Sequence, residues 1–145
     1  MAKISIRDAS PENEERLIEI FEKANENSDD EYLRNQFINN LPTKIIESKE
    51  DIVGYCWEMM GSGNDRYIIS PTFLPKYGSK MKKSFLKAVQ KQVKAGAGVY
   101  KTLNMSVKIN QEDNEMVKLL EKLGFEESGK SEIRGQAEVN YTYSP

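Results

Sequence analysis

Segments whose apolar residues alternate are interleaved with segments whose apolar residues recur every three or four positions. This order, more than any other feature, limits the folds open to the chain. Met81, Phe85, Val89 and Val93 recur every four residues with Leu86 beside them, which predicts a helix over 78–95, closed by Ala95-Gly96-Ala97-Gly98. Leu103, Met105, Val107 and Ile109 then alternate and predict a strand. Upstream, Ile4 and Ile6 mark a short strand. Ser10-Pro11 opens a helix with Leu17, Ile20, Phe21 and Ala24 on one face. Asp29 or Asp30 caps a second helix that buries Tyr32, Leu33, Phe37 and Ile38 and is stopped by Pro42.

Strands follow at 44–48 and 52–60, with a turn over 49–51. Gly61-Ser62-Gly63-Asn64 closes a hairpin onto a strand at 66–72. Pro71 and Pro75 lack N–H donors, so pairing fails near that strand's end. Asp113 caps a helix ending at Leu123-Gly124, where glycine supplies a left-handed residue. Strands from Phe125 to about Ser131 and from Glu138 to Tyr143 complete the chain. The order is β-α-α-β-β-β-α-β-α-β-β. It predicts an α/β (α+β) architecture in one domain over 1–145, with about four helices and a mixed central sheet of about six to seven strands.

Composition narrows the chemistry. The 145 residues contain one cysteine, Cys56, and no histidine. Disulfide frameworks, Cys-based zinc cages, His-ligated metals and Ser-His-Asp or Cys-His catalysis are excluded, and no metal is expected. Cys56 reads as a small core residue. No apolar run approaches the ~20 residues of a membrane helix and no secretory signal opens the chain, so a cytoplasmic location without membrane association is expected. The net charge of −2 is the sum of three unlike parts. Residues 1–70 carry 8 basic and 15 acidic groups, residues 71–108 carry 9 lysines and no acid, and residues 109–145 carry 4 basic and 8 acidic groups. The middle block is either a solvated lysine face or a site for an anion.

Three segments carry a family resemblance. Asp51-Ile52-Val53-Gly54-Tyr55-Cys56 is similar to a strand that commonly reads Ile-Val-Gly-aromatic. Asp113-Asn114-Glu115-Met116 through Glu121-Lys122-Leu123-Gly124-Phe125 is similar to a helix and strand start of the pattern Asn-x-x-Ala…Leu-Tyr-Glu-Lys-Leu-Gly-Phe. Tyr77-Gly78-Ser79-Lys80-Met81-Lys82 falls where an Arg/Gln-x-x-Gly-x-Gly/Ala loop is expected. In these segments and in element order along nearly its whole length, the chain resembles the GCN5-related N-acetyltransferase (GNAT) family as a divergent member. The resemblance implies an acyl-CoA-dependent N-acyltransferase that moves an acetyl group from acetyl-CoA to an amine by direct attack. Acetyl-CoA is then the cosubstrate.

The resemblance also implies site residues. Thr72, Phe73 and Leu74, at the splayed strand end, would hold the pantetheine. Tyr77, Gly78, Ser79, Lys80, Met81 and Lys82 would hold the pyrophosphate at a helix N-terminus, where N–H groups and the dipole favour an anion. Asp113 stands at the family's capping Asn, and Asn110 or Asn114 would take over its contacts. Two departures matter. Lys80 and Lys82 occupy the loop's glycine positions, either blocking the cradle or placing ammonium groups on the phosphates. Leu120 occupies the position of the general-acid Tyr and cannot donate a proton. For proton removal, Glu58 lies inside a strong strand, sharing a face with Ile52, Gly54 and Cys56 while Trp57 points the other way. It is either a rim residue or a base. Tyr67, Asn104 and Ser106 on neighbouring strands would order a water.

Lys80, Lys83, Lys87, Lys91 and Lys94 share one helix face opposite the apolar stripe. Only the first turn reaches a pyrophosphate, and the 3′-phosphate of CoA would recruit one more lysine. The rest solvate the face or meet another anion, and without aromatic interleaving nucleic acid is disfavoured. The alternative reading is a catalytically degenerate binding protein of the same fold. The lysine-rich helix, the missing Tyr and Leu-Leu-Glu-Lys-Leu-Gly-Phe loosely resemble acetyltransferase-like, virion-associated proteins of tailed phages. The acyl acceptor is not legible, and a homodimer stays open.

Overall fold

The computed structural model describes residues 4–25, 31–60, 65–94, 102–108, 114–133 and 136–143. Its strands are β1 (Ile4–Asp8), β2 (Lys44–Ser48), β3 (Asp51–Met60), β4 (Asp65–Phe73), β5 (Thr102–Lys108), β6 (Glu126–Ile133) and β7 (Gln136–Tyr143). Its helices are α1 (Glu14–Ala24), α2 (Glu31–Asn39), α3 (Gly78–Lys94) and α4 (Asn114–Lys122). The order is the one the alternating periods predict. One seven-stranded sheet runs β1-β2-β3-β4-β5-β7-β6. Every neighbouring pair is antiparallel except β4 and β5, which are parallel and joined through α3. The expected caps at Asp29, Asp30 and Asp113, the loop 61–64 and the helix end 95–98 lie outside the described residues.

Local chemistry sets several boundaries. Ser10-Pro11 opens a short 3-10 turn, Pro11–Asn13, that leads into α1. There the Ser10 N–H donates to Asn13 Oδ1 at 2.8 Å. Gly124 ends α4 with φ 92°, and the Phe125 N–H returns to the Leu120 carbonyl at 3.0 Å, as a glycine C-cap requires. The β2–β3 turn is less economical. Lys49 (φ 52°) and Glu50 (φ 67°) form a two-residue connection with both residues left-handed, a geometry that favours Asn-Gly.

Apolar clusters cover both faces of the sheet. On one face α3 and α4 bury Met81, Phe85, Leu86, Val89, Met116 and Leu120 against Ile46, Cys56, Ile68, Met105, Tyr141 and Tyr143. On the other, α1 and α2 bury Leu17, Ile20 and Phe37 against Ile45, Tyr55 and Trp57. Fully burying one such side chain contributes about 1.5–3 kcal/mol before entropy is subtracted. The Trp57 indole N–H satisfies itself on the Asn40 carbonyl at 3.0 Å.

Two bulges position the site and correct the plain alternation. Ile46 pairs with Gly54 but Glu47 pairs with Ile52, so Val53 is an extra residue in β3. The strand's phase slips there. Ile52 packs toward the α1/α2 face, whereas Cys56 belongs to the α3/α4 face, so the two do not share a face. In β4, Tyr55 pairs with Thr72 and Trp57 with Ile69, which places Ser70 and Pro71 opposite the single residue Cys56. A bulge tolerates the missing N–H of Pro71.

Candidate functional site

The sheet opens beside this second bulge. The parallel pairing of β4 with β5 runs from Asp65↔Thr102 to Ile69↔Ser106 and stops. Beyond that point β4 pairs only with β3, and β5 pairs with β7 as far as Lys108↔Glu138. The missing N–H of Pro71 thus ends pairing on one side only, the β5 side. The Leu74 N–H donates to the Val53 carbonyl at 2.9 Å, which makes Gly54 and Phe73 a non-hydrogen-bonded pair. The N–H and C=O of Phe73 therefore point away from β3, into the opening.

Gly54 fixes the width of this region. A Cβ on it would lie 2.4 Å from the Thr72 carbonyl oxygen and 3.1 Å from Phe73 Cδ1. Only glycine lets β3 and β4 approach this closely. The side chains of Phe73, Leu74 and Met81 are buried in the core, so of these three expected contacts the backbone alone faces a ligand.

The opening leads to the start of α3 through a 3-10 turn, Pro75–Tyr77. This entrance is tied down. The Tyr77 hydroxyl donates to Asp51 Oδ2 at 3.3 Å, and Arg16 of α1 reaches Asp51 Oδ1 at 3.3 Å and the Ile52 carbonyl at 3.0 Å. Asp51 and Arg16 thus hold β3, α1 and the α3 entrance together. Beside them a cleft of about 340 Å³ is lined by Arg16, Glu19, Lys23, Leu74, Pro75 and Lys76. Arg16 and Lys23 carry no motif, and their place at this cleft emerges only from the packing of α1.

In the first turns of α3, Lys80 is exposed. Lys82 is half-buried and reaches across to Glu115 in the first turn of α4, at 3.7 Å. Of the two lysines at the expected glycine positions, one is thus drawn to a carboxylate and one faces solvent. The side chains of Ser79 and Asn114, and all of Asn110, lie outside the described residues.

The three expected catalytic side chains do not converge. Tyr67 pairs with Asn104, and Ile69 with Ser106, so Tyr67, Asn104 and Ser106 share the α1/α2 face at the inner edge of the opening. Tyr67 is exposed, Ser106 is buried, and Asn104 accepts a hydrogen bond from Thr142 at 2.7 Å. Glu58 pairs with Ile68, a residue of the α3/α4 cluster, so Glu58 lies on the opposite face. Arg66 Nε donates to Glu58 Oε1 at 2.6 Å, and Lys44 stands 3.7 Å from its other oxygen. Glu58 is largely buried, not a rim group, and its carboxylate is engaged by these two cations. It is the counter-ion of a buried arginine, and one-sequence alternation could not see that cation coming from the next strand.

The Lys44 ammonium is pushed above its ordinary value, chiefly by its hydrogen bond to Asp8, whose carboxyl is correspondingly lowered. Cys56 is buried and its thiol is pushed up to about 12, first by burial and then by the nearby Glu58 charge. It is inert core, as expected. Leu120 is fully buried against α3 and the sheet. Glu138, by contrast, is a carboxylate the alternation underrated. It is 1% exposed and lies two residues along β7 from the partner of Ser106, on the same face. No group of three or more potential metal ligands occurs among the described residues.

The fold as a whole is shared with solved structures along nearly the full chain. The GNAT-family acetyltransferase from Bacillus cereus superposes with a TM-score of 0.58 at 16% identity, covering 98% of this chain and 97% of that one. The fold is that of the GNAT acetyltransferases. The ribosomal-protein-S18-alanine N-acetyltransferase from Escherichia coli gives a TM-score of 0.66 at 13% identity, with 98% and 94% covered. The spermidine N-acetyltransferase from Vibrio cholerae, in complex with CoA and spermine, gives 0.64 at 14%, with 97% and 95% covered. No family model and no curated protein matches the sequence. At these identities the likeness is one of fold. Among the described residues no helix is long and apolar enough to cross a membrane.

Proposed function

We propose that this chain is an N-acyltransferase that uses acetyl-CoA and an amine acceptor. The observation that carries the reading is the opening between β4 and β5, into which the Phe73 N–H and C=O point and which leads to the first turn of α3. A pantetheine arm carries two amides, and an open strand edge is a natural partner for them. The N–H groups of the first α3 turn, with Lys80, then meet phosphate. The cleft between α1 and Leu74–Lys76 adds cationic side chains on the other flank.

In the reaction the acceptor's nitrogen lone pair attacks the thioester carbonyl carbon. The tetrahedral adduct collapses, the C–S bond breaks, and the sulfur leaves with the electron pair. The amine loses one proton to solvent, which returns one to the thiolate. Tyr67, Asn104 and Ser106 line the face where the acceptor approaches, and they orient it or hold a water. Leu120 supplies no proton, and the loss of a general acid costs about 10²–10⁴-fold in rate.

Isothermal titration of the chain with acetyl-CoA tests the reading. Binding in the micromolar range, weakened by Lys80→Glu most strongly at low salt, is the expected result. No heat and no thermal shift at millimolar ligand would overturn it. Buried Leu120 and the Lys82–Glu115 pair favour a second reading, a protein that binds the donor without turning it over. Turnover of acetyl-CoA above background across a panel of amines, lost on substitution of Gly78, would dismiss that second reading.

A further inference from the structure

The acyltransferase reading accounts for the start of α3 but leaves the rest of its lysines without a task. Lys80, Lys83, Lys87 and Lys91 run along the side of α3 away from the sheet. Lys80, Lys87 and Lys91 are exposed and Lys83 is half-buried. At 1.5 Å per residue the stripe from Lys80 to Lys91 is about 16 Å long. The segment 71–108 contains no acidic residue at all. Among the described residues none of these four lysines has a carboxylate within ion-pair distance. Elsewhere Arg7, Arg16, Arg34, Lys44, Arg66 and Lys82 all have one.

Two features connect this stripe to the donor. It begins at Lys80, in the turn assigned to phosphate, so the cationic face is continuous with the mouth of the β4–β5 opening. That turn is also poor in glycine. Lys80 and Lys82 hold the positions at which a close backbone cradle for two phosphates needs glycine, and Lys82 is drawn away to Glu115. One phosphate on the helix start is easier to accommodate than two. The opening for a pantetheine arm is unaffected by either change. Resting on the acyltransferase reading, we propose that the acyl group is delivered on the phosphopantetheine arm of an acidic carrier protein. The arm's single phosphodiester meets Lys80 and the first turn of α3, and the carrier's acidic surface lies along Lys83, Lys87 and Lys91. The transfer chemistry is unchanged, the arm's sulfur being the leaving group.

The test is titration calorimetry on the full chain with three probes. These are an acidic carrier protein whose arm ends in a stable acetyl amide, the same carrier without its arm, and acetyl-CoA. Each is run on the wild type and on Lys87→Glu/Lys91→Glu, at ~50 mM and ~500 mM salt. The loaded carrier is expected to bind more tightly than acetyl-CoA and at least about tenfold more tightly than the bare carrier. The double reversal should weaken it about tenfold or more at low salt and leave acetyl-CoA within about twofold. Unchanged acetyl-CoA binding also shows that the variant is folded. The proposal is overturned if the double variant holds the loaded carrier as well as the wild type does. It is also overturned if the loaded carrier binds no better than acetyl-CoA, or if a DNA duplex titrated as a fourth probe binds better than the carrier. Failure of the wild type to bind any acyl donor would instead remove the acyltransferase reading on which the proposal stands.

Discussion

Replacing Gly54 by alanine is the sharpest perturbation of the site, because two physical effects of opposite sign compete there. Glycine in a strand interior costs roughly 0.5–1 kcal/mol relative to alanine through backbone entropy. Without a clash, Gly54→Ala would therefore stabilise the protein. The structure puts the added Cβ 2.4 Å from the Thr72 carbonyl oxygen and 3.3 Å from Phe73 Cα, both main-chain atoms. They yield only if β3 and β4 move apart by several tenths of an ångström or more. That movement strains the Leu74 N–H bond to the Val53 carbonyl, 2.9 Å long, and the cross-strand pairs beside it. Overpacking costs typically 1–3 kcal/mol and a weakened ladder bond about 1 kcal/mol more. The net expectation is a loss of about 1–3.5 kcal/mol, read from urea unfolding at an unchanged slope. Gly129→Ala in β6 is the internal control. Nothing lies within 4 Å of its added Cβ and its φ is not positive, so it should be neutral or slightly stabilising. The same Gly54 variant should bind acetyl-CoA more weakly than its stability loss alone explains, since the displaced strand carries Phe73. A neutral or stabilising Gly54→Ala would refute both the close approach and the role assigned to it.

The remaining structural predictions are simpler. Lys49→Asn/Glu50→Gly should stabilise the β2–β3 turn by about 1–2 kcal/mol in urea titrations, since both positions are left-handed. Glu58→Gln should destabilise by about 2–4 kcal/mol because it removes a charge from beside buried Arg66, while leaving the affinity for acetyl-CoA largely intact. The Cys56 thiol, pushed up to about 12, stays protonated at pH 8, so labelling of the native protein by a thiol reagent should be at least about a hundredfold slower than in denaturant.

Element order was legible from the sequence because each switch between helix and strand is a change of apolar period, and consecutive elements of one kind are separated by turn residues. The boundaries at Ser10-Pro11 and Gly124 were legible because capping is local chemistry. The faces of β3 were not. The bulge at Val53 has no residue-level signature, and it moved Ile52 and Cys56 to opposite faces. The surroundings of Glu58 were not legible for a related reason. Its role is set by Arg66 and Lys44, which the sheet brings beside it from neighbouring strands. The proposed donor side is built from main chain, a bulge, an opened strand pair and a helix start, so it follows from element order. A general acid is a single side chain, and the sequence resemblance puts Leu120 at its position.

On the acyltransferase reading, Leu120 at the general-acid position has a consequence for the acceptor. A thiol of pKa near 8.5 leaves as a thiolate without protonation, so the missing acid bears less on the leaving group than it would for an alkoxide. The amine is the harder partner, since it attacks only when neutral. The chain has no histidine, and Glu58 is ion-paired with Arg66 on the far face. With Tyr67, Asn104 and Ser106 offering only hydrogen bonds, the supply of neutral amine is left to the acceptor's own pKa. At pH 7 an α-amine of pKa near 7.9 is roughly 10% neutral, whereas a lysine side chain of pKa near 10.4 is about 0.04% neutral. The ratio favours an α-amine by roughly 300-fold before any contact is counted. The acyltransferase reading therefore predicts that peptide α-amines outcompete lysine side chains. It also predicts that the rate with an α-amine rises about tenfold per pH unit below pH 7 and levels near pH 8. A pH–rate profile on a peptide with a free N-terminus, beside its N-blocked lysine counterpart, measures both. A flat profile between pH 6 and 8, or equal rates for the two amines, would show that a base acts in this site after all, and buried Glu138 would be the first carboxylate to substitute.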